Sequence, residues 1–101
     1  MLRMSRFLIT GGSQGIGAAI VAHARKAGHD VVFTGRQNAA IEAVAKKEGA
    51  HGITADVAND ADNARVVEFC MSKMGGVDVL INNAGVGYIA DVGAIDMDKM
   101  R

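Results

Sequence analysis

The sequence predicts an α/β fold, a doubly wound parallel sheet with helices on both faces, in one domain spanning residues 1–101. Short apolar segments alternate four times with segments of helical periodicity, and the connections between them are short. The strand segments are apolar runs, as expected for strands covered on both faces. Half of the 101 residues are apolar and only one is cysteine, so the chain can bury a core without disulfides.

The first strand and the first helix are predicted on either side of a glycine-rich segment. Residues 6–10 form a short apolar run, which predicts a buried strand, and the glycines directly after it predict a turn. Apolar residues at helical spacing predict a helix over residues 15–27, and Gly28 is placed to end it in a left-handed cap. The predicted apolar face of this helix consists of Ile16, Ala19, Ile20, Ala24 and Ala27.

The second and third strands are predicted on either side of the second helix. Residues 30–34 and 51–55 contain β-branched residues in short runs, which favours strands. Residues 38–47 have helical periodicity, and Gly49 is expected to end that helix. Its predicted apolar face consists of Ile41, Val44 and Ala45.

The third helix is predicted to begin after Asn59, with Asp62 three residues further on in a variant of the capping box. Two glycines at 75–76 end it, and residues 77–81 predict the fourth strand. The predicted apolar face consists of Val66, Val67, Cys70, Met71 and Met74. Residues 96–101 have the pattern of the first turn of a fourth helix.

The segment between the first strand and the first helix contains Gly11, Gly15 and Gly17 in the register Gly-x-x-x-Gly-x-Gly. It matches neither the Gly-x-Gly-x-x-Gly fingerprint nor a Walker loop, which requires a lysine. Without Cβ atoms, such a turn lets the N-terminal amides of a helix approach a diphosphate, and the helix dipole favours the negative charge. The position of the glycines therefore predicts a dinucleotide site, although a plain glycine-rich turn is the alternative.

Two longer strings carry a family resemblance. Residues 10–17 read Thr-Gly-x-x-x-Gly-Ile-Gly, and residues 82–85 read Asn-Asn-Ala-Gly directly after the predicted fourth strand. In this order and on these elements, they resemble the motifs of the classical short-chain dehydrogenase/reductase family. The pair Asp56-Val57 is similar to the family position that contacts the adenine amino group. The resemblance implies a partial Rossmann-type sheet of four strands in the order 3-2-1-4, with three helices and the start of a fourth.

The resemblance also implies cofactor-binding roles for individual residues. The turn around the diphosphate would consist of Gly11, Gly15, Ile16 and Gly17, with Ser13 and Gln14 on the loop near the ribose phosphate. The adenine would be held by Asp56 and Val57, and the ribose side of the adenosine would be lined by Asn82, Ala84 and Gly85. Thr10 would be structural and bond toward the Asn-Ala-Gly loop.

The end of the second strand predicts the choice of cofactor. A chain that binds NAD places an acid there, about 20 residues after the glycine motif, to accept hydrogen bonds from the ribose 2′-hydroxyl. This chain has Gly35 and Arg36 instead. Glycine leaves room for a 2′-phosphate, and a guanidinium can pair with that phosphate in a bidentate manner. We therefore expect NADP(H) rather than NAD(H).

No catalytic residue is assigned in this chain. The family uses a Tyr followed four residues later by a Lys, together with a Ser and an Asn, whereas the single tyrosine, Tyr88, is followed by Val92 at that spacing. The serines, at positions 5, 13 and 72, all precede the Asn-Asn-Ala-Gly string. The three histidines and Cys70 lack metal-ligand spacing, so no metal site is expected.

Composition disfavours several classes of partner. The formal net charge is zero, which disfavours a nucleic-acid-binding surface. The longest strongly apolar stretches are three residues, so no membrane segment is expected. No signal peptide is recognisable at the N-terminus, which predicts a cytoplasmic location. A fourth strand at the sheet edge predicts association, and we expect a homo-oligomer.

Together these features predict the N-terminal, cofactor-binding part of an NADP(H)-dependent oxidoreductase acting on a small-molecule carbonyl or alcohol. The 101 residues are interpreted as a fragment that would be inactive alone. The alternative is a non-catalytic dinucleotide-binding or sensor module. A fold that binds a methyl donor is disfavoured, because it needs an acid at the end of the second strand.

Overall fold

A computed structural model describes residues 4–56 and 58–83. The strands are β1 (Arg6–Thr10), β2 (Asp30–Gly35), β3 (His51–Thr54) and β4 (Val79–Asn82), and the helices are α1 (Gly15–Lys26), α2 (Asn38–Glu48) and α3 (Asp60–Met74). All strand pairs are parallel, in the order β3-β2-β1-β4. This confirms the predicted Rossmann-type sheet and three helices, with element ends shifted by one or two residues. The predicted start of a fourth helix lies outside the described residues.

The carboxyl ends of the four strands meet at one edge of the sheet because every strand runs in the same direction. At that edge Thr10 of β1 pairs with Asn82 of β4, and Gly35 of β2 pairs with Thr54 of β3. In open parallel sheets, ligands bind outside this edge, where the strand order reverses. Here the reversal falls at β1, because the chain passes outward through β2 and β3 and then returns to place β4 on the other side.

Strand β2 contributes to both faces of the sheet, and each face is covered by helices. Val31 and Phe33 pack with α1 and α2, whereas Val32 packs with α3, and all three are fully buried. The rest of the first core comprises Ile9, Val21, Ala24, Ile41, Ala50 and Ile81. The rest of the second core comprises Ala55, Val66 and Cys70. These two cores fix the strand ends that carry the candidate site.

Five predicted core positions are wrong. Ile16, Val67 and Met71 are exposed by 62%, 57% and 56%. Successive helical residues turn by about 100°, so the burial of Val66 and Cys70 directs the next residue in each case toward solvent. In α1 the buried residues are Gly17, Val21 and Ala24, and the helix is rotated away from the predicted face, which also leaves Ala19 and Ala27 exposed.

The ends of the helices follow their capping residues. Gly49 ends α2 and Gly75 ends α3, both in the left-handed conformation, with φ of 68° and 77°. Asn59 caps α3 through its side chain, which accepts the backbone N–H of Asp62 at 3.0 Å. Among the residues that the structure describes, no helix is both long enough and apolar enough to cross a bilayer.

Candidate functional site

The turn between β1 and α1 is held closely against the neighbouring strand. Gly11 and Gly15 have φ of 68° and 56°, a conformation that side-chain-bearing residues rarely adopt. The N–H of Gly12 donates to the carbonyl of Thr34 at 2.8 Å, and the N–H of Gly11 donates to the Thr34 hydroxyl at 3.2 Å. These bonds fix the turn at the carboxyl edge of the sheet.

Gly17 is required by packing and not by its φ. A Cβ on this residue would overlap with the carbonyl oxygen of Gly11 and would lie 2.8 Å from Nδ2 of Asn83. The start of α1 therefore lies directly on the turn, with no space for a methyl group between them. Gln14 precedes α1 without a side-chain cap, and the first turn contains no acid. A helix start of this kind favours an anion.

The end of β4 is bonded to the same turn. The Thr10 hydroxyl donates to Oδ1 of Asn82 at 2.9 Å and accepts the N–H of Asn83 at 3.0 Å. The side-chain amide of Asn83 donates to the carbonyl of Gly11 at 3.2 Å. Thr10 thus bonds toward the start of the Asn-Asn-Ala-Gly string, while Ala84 and Gly85 lie outside the described residues.

A cavity of about 330 Å³ opens between this turn and the end of β2. Its walls are formed by Gly11, Ser13, Gln14, Gly35, Arg36, Gln37 and Asn83. Gly35 is closely packed, because a Cβ there would lie 2.5 Å from the Ser13 hydroxyl oxygen and 2.8 Å from Cγ1 of Ile41. An aspartate at position 35 would therefore require the loop to move.

A second cavity of about 240 Å³ lies between the ends of β2 and β3 and the start of α3. It is lined by Arg36, Thr54, Ala55, Asp56, Asp62 and Arg65. Arg36 lines both cavities, and its guanidinium is 3.8 Å from Oδ2 of Asp56. Both side chains are well exposed, at 79% and 50%, so the pair is weak and accessible to a ligand.

Asp62 forms a further charged contact beside Asp56. Its Oδ2 accepts the N–H of Asp56 at 2.8 Å, and its Oδ1 is 3.2 Å from the guanidinium of Arg65. The hydrogen bond from the Asp56 amide makes the largest contribution to lowering the pKa of the Asp62 carboxyl below its ordinary value. The hydrogen bond from Arg65 acts in the same direction and contributes less. The carboxylate is thus ionised at neutral pH.

Five of the twelve predicted cofactor-binding residues line the two cavities. Gly11, Ser13, Gln14 and Arg36 line the first cavity, and Asp56 lines the second. The Asn82 side chain is bonded to Thr10, and the Ile16 side chain is exposed at the start of α1 and lines neither cavity. Val57 lies outside the described residues.

Sequence reasoning missed six residues at the two cavities: Gln37, Thr54, Ala55, Asp62, Arg65 and Asn83. The second asparagine of Asn-Asn-Ala-Gly was a signal for Asn83, since it follows a strand end next to the glycine turn. Asp62 was recognised only as a partner in helix capping. No sequence pattern distinguished Arg65 of α3 or Gln37, which directly precedes α2, from other polar residues.

The strand order and the glycine turn define the class of Rossmann-type, doubly wound α/β proteins. The short chain dehydrogenase family profile matches residues 5–101, and the chain belongs to that family.

Among curated relatives, a farnesol dehydrogenase of Aedes aegypti is 37% identical over 99 residues, which cover 92% of this chain and 40% of that protein. Among solved structures, a 3-ketoacyl-(acyl-carrier-protein) reductase of Brucella melitensis complexed with NADH is similar with a TM-score of 0.79 and 35% identity, covering 94% of this chain and 40% of that one. A blue fluorescent protein from a metagenomic library, in complex with NADPH, has a TM-score of 0.75 and 34% identity, covering 93% and 41%. The chain thus spans about two fifths of the length of these proteins.

Proposed function

We propose that the protein is an NADP(H)-dependent oxidoreductase of the short-chain dehydrogenase type, acting on a carbonyl or alcohol group of a small molecule. In this proposal, residues 1–101 form the dinucleotide-binding part, which is inactive alone. When bound, the nicotinamide supplies or accepts a hydride. The described residues bind the adenosine and diphosphate portions.

The observation that carries this proposal is the first cavity, which joins the glycine turn to Arg36. Its floor is backbone without side chains at Gly11 and its far wall is a guanidinium, an arrangement that suits a diphosphate at one end and a further phosphate at the other. Because Gly17 has no Cβ, the start of α1 can lie directly against the turn, where the amides of the helix favour an anion. The residues present therefore fit an adenine dinucleotide.

The preference for NADP(H) is supported by three neighbouring residues. Arg36 offers a charge at the cavity wall, Ser13 places a hydroxyl beside Gly35, and the close packing of Gly35 disfavours the acid that NAD binding uses. The similar solved structures include complexes with NADPH and with NADH. The preference therefore rests on these residues and not on the comparisons.

The adenine is proposed to lie in the second cavity against Asp56. Oδ1 of Asp56 accepts the N–H of Ala58 at 3.0 Å, while Oδ2 is directed toward Arg36 and the cavity. A carboxylate oxygen in this position can accept a hydrogen bond from the adenine amino group. The contacts expected of Val57, Asn82, Ala84 and Gly85 remain predictions, as do a homo-oligomer and a cytoplasmic location.

The test compares the dissociation constants of NADPH and NADH for the unmutated protein, Arg36→Ala and Lys47→Ala. Lys47→Ala is the matched control, because it removes one exposed positive charge outside both cavities. A hydrogen-bonded charge pair is worth about 1.5–3 kcal/mol, so Arg36→Ala should weaken NADPH binding roughly 10- to 100-fold. Its effect on NADH should be below about threefold, since NADH lacks the 2′-phosphate.

Three outcomes would each contradict a part of the proposal. Equal affinity of the unmutated protein for the two cofactors would refute the assignment of NADP(H). If Lys47→Ala weakened NADPH binding as much as Arg36→Ala does, the overall charge of the protein and not the position of Arg36 would determine the affinity. Cofactor binding by the complete natural protein without hydride transfer to any carbonyl compound would instead favour the non-catalytic module.

A further inference from the structure

Asp56 is exposed, yet its backbone is bonded on every side. Its N–H donates to Asp62, and its carbonyl accepts the N–H of Asn59 at 2.9 Å. The residue before it, Ala55, donates its N–H to the carbonyl of Gly35 at 3.0 Å. These bonds hold the backbone of Asp56 in place, and the N–H of Ala58, which donates to Oδ1 at 3.0 Å, restricts the direction of the carboxylate.

Asp62 is the central residue of these contacts. Its own N–H is bonded to the cap residue Asn59, while its carboxylate reaches back beyond the cap to Asp56. In an ordinary capping box the acid would bond to the N–H of the cap residue itself. Here that N–H is already bonded to the carbonyl of Asp56, and the acid instead joins the helix to the end of the preceding strand.

Arg65 fixes the other side of Asp62. Its guanidinium donates to Oδ1 of Asp62 at 3.2 Å and to the carbonyl of Thr54, the last residue of β3, at 2.7 Å. The same Arg65 therefore holds both the strand that precedes Asp56 and the carboxylate that accepts the Asp56 amide. Thr54, Asp56, Asp62 and Arg65 all line the second cavity.

We propose that Asp62 and Arg65 are positioning residues that orient Asp56 toward the adenine amino group. This inference rests on the proposed function, in which Asp56 contacts the adenine. Without the carboxylate of Asp62, the Asp56 amide would turn to water, and the Asp56 side chain would sample directions other than the observed one, in which Oδ2 lies 3.8 Å from Arg36 and faces the cavity. The adenine contact would then be made only part of the time.

The test uses NADPH and its purine analogue, in which a hydrogen atom replaces the adenine amino group and N1 remains an acceptor. Only NADPH can donate from that position to a carboxylate, so the ratio of the two dissociation constants measures the Asp56 contact. A hydrogen bond to a charged group at an exposed site should give the unmutated protein a preference of about tenfold. A general loss of stability would weaken both ligands equally and leave the ratio unchanged.

Asp62→Ala should reduce the preference to about threefold or less, and Asp56→Ala should abolish it. Asp60→Ala is the matched control, because it removes another acid from the first turn of α3 at an exposed position outside the cavity. It should retain the tenfold preference. Arg65→Ala should fall between these values, and Arg65→Lys should recover most of the preference because an ammonium can still reach an acceptor.

The outcomes separate the two proposals. If the unmutated protein prefers NADPH but Asp62→Ala and Arg65→Ala keep the same preference, the positioning role is wrong and the proposed function stands. If the unmutated protein binds both ligands equally or neither, the adenine contact of Asp56 is wrong and the positioning role is wrong with it. Should Asp62→Ala fail to fold, the comparison of Arg65→Ala with Arg65→Lys gives the same decision.

Discussion

Gly17→Ala should destabilise the protein by about 2–3 kcal/mol through a collision, since a Cβ there would overlap with the carbonyl of Gly11. Overpacking of this kind costs about 1–3 kcal/mol, and the high end applies because the overlapping atom belongs to the backbone. Loss of the bond from Asn83 to Gly11 adds about 1 kcal/mol. The higher helix propensity of alanine offsets this loss of stability by up to about 1 kcal/mol.

Gly15→Ala is the matched control for this prediction, because it makes the same chemical change two residues away for a different reason. No atom lies within 4 Å of a Cβ at Gly15, but its φ is 56°. The cost should be that of a left-handed residue, about 1–2 kcal/mol. Urea unfolding followed by circular dichroism without cofactor measures both variants.

A double-mutant cycle with Asn83→Ala identifies the source of the cost. Asn83→Ala removes both the bond to Gly11 and the Nδ2 atom that a Cβ at Gly17 would meet at 2.8 Å. In that background Gly17→Ala should cost about 1 kcal/mol less, whereas Gly15→Ala should cost the same in both backgrounds. Strictly additive effects of Gly17→Ala and Asn83→Ala would refute the proposed packing of the turn.

Three further predictions concern the cores and the first turn of α3. Burial raises the pKa of the Cys70 thiol to about 11, so a thiol-specific reagent at pH 8 should label it only in urea, and rapid labelling without urea would contradict this. Because the folded pKa of Asp62 is lowered, its stabilisation is present above the ordinary 3.8 and is lost as the pH falls through the folded value. The stability difference between the unmutated protein and Asp62→Asn should therefore shrink on acidification, and a constant difference in urea melts would refute it. Phe33→Ala should cost about 3–5 kcal/mol by the same measurement, and Val67→Ala, at an exposed position, less than about 0.5 kcal/mol.

Local patterns predicted most of the fold. The apolar runs and helical spacings gave seven elements with ends correct to one or two residues, and the glycines at 49 and 75 end their helices as expected. The wrong burial of Ile16, Val67 and Met71 has a single physical cause. An apolar residue next to the buried stripe fits the periodicity nearly as well as a member of it, and only the packed sheet decides which one is covered.

The site was less predictable where it depends on distant contacts. The glycine turn and Arg36 could be identified because their signals are local and tied to strand ends. The bond from Asn83 to Gly11 joins residues 72 positions apart, and the reach of Asp62 past its own cap to Asp56 depends on how β3 enters α3. Such contacts follow from the three-dimensional arrangement, which no spacing in the sequence specifies.

The late arrival of β4 has a consequence for synthesis on the ribosome. Strands β1, β2 and β3 can pair early, but β1 keeps one open hydrogen-bonding edge until its partner 72 residues further on has been made. At 5–20 residues per second, that interval lasts roughly 4–14 s. During it the glycine turn lacks Asn83, and the open edge of β1 can pair with a foreign strand. We therefore expect the glycine turn to reach its final geometry only after residue 83 has emerged from the ribosome.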